Sequence, residues 1–103
     1  MRVTSYAAFV AMYQALEAAN DEMKDESLRR YLSDANPFLF KDKGSADPAI
    51  YIEFEQMFNK RFADGTDPKG ALSVVKDYLR EQNGGVLAVA FDSVVNSANW
   101  EKH

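Results

Sequence analysis

The chain has 103 residues, with 12 Lys+Arg against 16 Asp+Glu, a formal net charge of −4, one His and no Cys. That length fits one domain, and 47% hydrophobic with 13% aromatic residues is the composition of a folded globule rather than a disordered chain. Without Cys there are no disulfides, thiolate metal sites, iron–sulfur ligation or cysteine nucleophiles, and a mildly acidic chain lacks the basic field that nucleic-acid phosphates require.

The first apolar stretch puts Tyr6, Phe9, Val10, Tyr13 and Leu16 at steps of three and four, with alanines between them. This is the spacing of one helix face, over residues 5–19, with Thr4 or Ser5 as N-cap. Polar residues interrupt the run and one positive charge precedes it, so it reads as an amphipathic helix rather than a secretion signal. No stretch approaches the ~20 apolar residues of a membrane span, and the expected location is cytoplasmic.

Leu28, Tyr31 and Leu32 continue the helical spacing over residues 26–33, with Asp25 as cap and Glu26–Arg30 as an exposed i,i+4 pair. A break is expected between Asn20 and Lys24. Asn36-Pro37 ends this second helix, because the residue before proline avoids helical geometry. An irregular stretch runs to Ala46.

Asp47-Pro48 and Asp67-Pro68 are twin helix starts, each a capping side chain followed by proline at the first helical position. Behind the first, Ile50, Tyr51, Phe54, Met57, Phe58 and Phe62 mark an apolar face over residues 48–62, with Gly65 just beyond. Behind the second, Ala71, Leu72, Val75, Tyr78 and Leu79 form another over residues 68–82, closed by Asn83-Gly84-Gly85. Residues 63–67 are a short connection, so these two helices form a hairpin. Residues 86–95 fit a helix through Leu87, Phe91, Val94 and Val95. They also fit a buried strand, for which residues 50–54 are the one candidate partner. The expected fold is all-α, a single helical domain over residues 1–103 of four to five short helices; the alternative is α+β with a small strand pair.

One internal echo stands out. Leu28-Arg29-Arg30-Tyr31-Leu32 with Asn36 repeats as Val75-Lys76-Asp77-Tyr78-Leu79 with Asn83, offset by 47 residues. The offset is that of two-helix repeats, although such repeats need about three copies to be stable.

No motif defines a reaction. His103 is the final residue and a poor place for a positioned imidazole, so neither histidine catalysis nor a His metal site is expected. The acidic loops beginning at Asp34 and Asp64 lack the sixth-position Gly and twelfth-position Glu of calcium loops. The Gly84-Gly85 pair closes a helix instead of opening one, as a phosphate cradle would. No metal, cofactor, membrane or nucleic-acid partner is expected, and none of the acids is singled out as a catalytic group.

Phe38, Leu39 and Phe40 lie together in the irregular stretch, bracketed by turn formers. Either they fold back as a plug over a groove between helices, or at least one phenylalanine stays exposed and anchors a partner. Trp100 poses the same choice near the C-terminal end, tying the tail to the body or docking. The leading expectation is a non-enzymatic protein-interaction or self-association domain, with Phe38, Phe40 and Trp100 as partner-binding residues. The alternative is a small-molecule-binding or catalytic helical domain with an aromatic-lined cavity, using Tyr31, Tyr51 or Tyr78 and an Asp as its polar groups. An acidic mimic of nucleic acid is the weakest reading, since −4 over 103 residues is too dilute.

Overall fold

The computed structural model describes residues 2–36, 48–82 and 85–95. Among them are five helices, α1 (Ser5–Met23), α2 (Glu26–Ala35), α3 (Pro48–Phe62), α4 (Pro68–Arg80) and α5 (Val86–Val94). The fold is all-α. The strand-pair alternative fails on both halves, because residues 50–54 lie inside α3 and residues 86–94 form α5. Extended pairing among the described residues is confined to one antiparallel bridge, Val3 with Thr66.

Three helix starts follow from their capping side chains. Thr4 Oγ1 accepts from the Ala7 N–H at 3.2 Å, Asp25 Oδ1 from Leu28 at 3.0 Å, and Asp67 Oδ1 from Gly70 at 2.8 Å. Each satisfies an N–H that the first turn leaves without a partner. The Asp47 cap lies outside the described residues, although α3 does begin at Pro48. The break between α1 and α2 falls at Lys24, whose left-handed backbone (φ 51°) lets its N–H reach the Asn20 carbonyl at 2.9 Å. So α1 runs one turn past the expected Ala19. Asn20, Asp21 and Glu22 continue it as solvent-facing or half-buried positions once Ala19 is buried.

α1 is the central element and packs against each of the other four helices. Of its expected apolar face Phe9, Tyr13 and Leu16 are buried, while Val10 is half-buried and Tyr6, near the helix start, is exposed; Met12 and the small Ala8, Ala11, Ala15 and Ala19 widen the buried side. Across it stand Phe54 and Phe58 of α3, Val74, Val75, Tyr78 and Leu79 of α4, and Leu87, Ala90 and Phe91 of α5. Aromatic rings run through this core. Tyr6 meets Tyr51 (5.6 Å between centroids), Phe9 meets Tyr51 (5.2 Å) and Phe54 (5.5 Å), and Phe54 meets Tyr78 edge-on at 5.2 Å. Such tilted and edge-to-face pairs add about 0.5–1.5 kcal/mol each beyond the area they bury.

The α3–α4 connection is tied to the start of the chain. Val3 and Thr66 exchange backbone hydrogen bonds of 2.6 and 3.0 Å, and the Arg2 Nε donates to the Asp64 carbonyl. Gly65 makes this approach feasible. It has φ 89°, and a Cβ there would sit 2.9 Å from the Val3 carbonyl oxygen.

α5 settles the ambiguity of residues 86–95. Leu87 and Phe91 are fully buried, whereas Val89 is 63% exposed. A strand would have placed all three on one side; a helix separates the middle one.

Candidate functional site

α2, α3 and α4 do not close completely against one another. Between them lies an open cleft of about 410 Å³, lined by Ser27, Arg30, Tyr31 and Asp34 of α2, Ile50 and Glu53 of α3, and Tyr78 with Gln82 from α4 and its end. The α2 contribution is one helical stripe, since positions 27, 30, 31 and 34 share a face. Tyr78 and Gln82 are likewise one turn apart.

The floor is the chemically distinctive part. Tyr31 and Tyr78 are buried, and their hydroxyls lie 2.9 Å apart, one donating to the other. Two phenols carry two O–H hydrogens, and this bond uses one. Among the described residues the pair thus keeps one O–H and several lone pairs that this bond does not use, and both tyrosines line the cleft. Burial is the main reason that the Tyr31 hydroxyl holds its proton far above the ordinary tyrosine range, reinforced by Tyr78 and by the negative Glu53. Tyr78 is also raised, by burial first; the hydrogen bond from Tyr31 works against that shift and Glu53 adds to it. Both phenols are neutral at ordinary pH.

The rim is charged and exposed. Glu53 and Asp34 carry the negative charge, while Arg30 is 3.7 Å from Glu26 across a solvent-exposed i,i+4 step. An ion pair so exposed contributes little to stability.

Of the tyrosines expected to furnish a cavity, Tyr31 and Tyr78 meet here and Asp34 supplies the aspartate. Tyr51 does not join them. It packs against Tyr6 and Phe9, with its hydroxyl 3.0 Å from Ser5 Oγ. The expected partner-binding residues Phe38, Phe40 and Trp100 lie outside the described residues. Ser27, Arg30, Ile50, Glu53 and Gln82 are lining residues that sequence reasoning missed. The usable signal was the 47-residue echo, whose two tyrosines are the pair on the floor. Among the described residues no group of three or more His, Asp or Glu is placed to hold a metal ion, and no helix is long and apolar enough to cross a membrane.

The chain matches no protein-family model, no curated protein and no solved structure.

Proposed function

We propose that this is a non-enzymatic binding domain, and that its ligand presents an ammonium or guanidinium group to the α2–α3–α4 cleft. The buried Tyr31–Tyr78 hydroxyl pair carries this reading. Two phenylalanines would fill the same core volume without a polar group to satisfy, so the hydroxyls are explained by what they offer the cleft. Beside them stand the carboxylates of Glu53 and Asp34, which as ions are acceptors only. A donor-rich cation matches that set. The volume falls inside the roughly 300–1,000 Å³ of ordinary small-ligand sites. With both phenols protonated, the floor holds no ready base, which favours binding over catalysis.

The ligand class covers a free amine and a lysine or arginine side chain offered by a partner protein. The second case is the interaction domain expected from sequence.

The test is an NMR titration with arginine methyl ester and putrescine at millimolar concentration, with acetate as control. The expected result is saturable shifts at Arg30, Glu53 and Gln82 for the cations alone. Glu53→Gln should weaken binding about tenfold, the value of one charge-assisted hydrogen bond. Tyr78→Phe should weaken it further without unfolding the domain. Equal responses to acetate and to the cations, or a Glu53→Gln variant that binds as wild type, would overturn the proposal.

A further inference from the structure

α4 turns Tyr78 to the cleft and a different face to solvent. There Lys69, Leu72, Ser73, Lys76, Asp77 and Arg80 line a shallow groove of about 420 Å³. Positions 69, 73, 76 and 80 form one stripe along the helix, so three cations stand in a row. A fourth arrives from α3. Arg61 Nη1 lies 2.7 Å from Asp77 Oδ2, while Arg80 Nη1 donates to Asp77 Oδ1 at 3.2 Å. One carboxylate thus bridges two guanidiniums, one oxygen to each, and neither arginine is engaged through its two-pronged fork. Each guanidinium has five N–H donors, and these contacts with Asp77 use only a minority of them. Lys69 and Lys76 make no ion pair among the described residues. In a chain whose net charge is −4, this face gathers four cations around one acid.

We propose that this face of α4 is a docking surface for an acidic peptide segment of a partner protein. Asp77 already shows a carboxylate seated between Arg61 and Arg80. Leu72, at the groove's base, gives the aliphatic stems of Glu or Asp something apolar to lie on. The eleven steps from Lys69 to Arg80 rise about 16 Å along the helix, the span of about five residues of extended peptide. Screening separates this ligand from a nucleic acid. Charges further than about 8 Å are largely screened at physiological salt. A short acidic segment therefore meets the local cations, whereas a long polyanion also meets the acidic remainder of the molecule. The surface is distinct from the cleft and its proposal stands without it.

The experiment is fluorescence anisotropy of labelled hexaglutamate against the intact chain, at low and at physiological salt. The expected result is binding that weakens with salt. It should weaken about tenfold or more in Lys69→Glu/Lys76→Glu, from two attractions converted to repulsions, and less than twofold in Arg29→Glu on α2. Circular dichroism confirms that the variants fold, and Lys69→Gln/Lys76→Gln replaces the reversal should it not. Absence of binding at low salt, or equal binding by the lysine variants, overturns the proposal. So does displacement by inorganic polyphosphate at lower concentration than by hexaglutamate, which would mark a phosphate site. Self-association abolished by the same reversal would assign the face to a second copy and also overturn it.

Discussion

A hydroxyl placed in a helical core costs about 1–3 kcal/mol unless it is partnered, and Tyr31 and Tyr78 solve this by partnering each other. Their protonation then becomes part of the fold. The ordinary tyrosine value is 10.0, and burial raises both hydroxyls above it. With pKa raised in the folded state, the unfolded chain releases its protons first. The stabilisation is complete below about pH 10 and drains away as pH climbs beyond. Denaturant unfolding at fixed pH values should therefore give a plateau up to about pH 10 and then a steep decline, shallower in Tyr31→Phe/Tyr78→Phe. Tyrosinate absorbance should reach the level of all five tyrosines only as the circular dichroism signal is lost. Full ionisation while the helices persist would mean that the pair is not buried as described.

At the scale of elements, caps decide where helices begin, and the end of α1 is the place where local geometry is strained. Lys24 holds φ 51° without being glycine. A left-handed conformation costs an L-residue about 1–2 kcal/mol, against about 0.5–1 kcal/mol of added chain entropy for glycine. Lys24→Gly should gain about 0.5–1 kcal/mol and raise the melting temperature by roughly 2–8 °C. A lower melting temperature would show that the lysine side chain contributes more than its backbone costs. Most boundaries were legible, because Thr4, Asp25 and Asp67 are capping residues directly ahead of apolar periodicity. The end of α1 was not, since Lys24 has none of the marks of a left-handed residue and the polar Asn20, Asp21 and Glu22 resemble a stop. The cleft was half legible. Periodicity tells which side of a helix is apolar but not which neighbour it meets, so Glu53 and Gln82 could not be joined to Tyr31 from spacing. The tyrosine pair was foreshadowed by the short echo of residues 28–32 in residues 75–79, which contains both tyrosines. Tyr6 and Phe9 of α1 meet Tyr51 and Phe54 of α3, and Tyr31 of α2 meets Tyr78 of α4, all at nearly the same offset.

For the molecule as a whole, the two proposed surfaces are opposite in charge and share one support. α4 carries the floor of the acid-rimmed cleft on one face and the row of cations on another, and the ring network holds it in place. Phe54 is the junction of that network. It is fully buried and touches Phe9 of α1, Phe58 one turn along α3, and Tyr78 of α4. Two positions away on the same helix, Ile52 is 47% exposed, as expected of a position outside the apolar face. Truncating a buried phenylalanine costs about 3–5 kcal/mol, a large share of the 5–15 kcal/mol that holds a typical domain together. Phe54→Ala should lower the melting temperature by roughly 15–30 °C or prevent folding, while Ile52→Ala should stay within about 0.5 kcal/mol of wild type. The milder Phe54→Leu leaves the helices assembled but removes the edge that positions the Tyr78 ring. It should weaken cation binding at the cleft while leaving hexaglutamate binding at the lysine face unchanged, because Lys69 and Lys76 do not depend on that ring. Loss of both activities together would mean that α4 shifts as a rigid body when its aromatic support is altered.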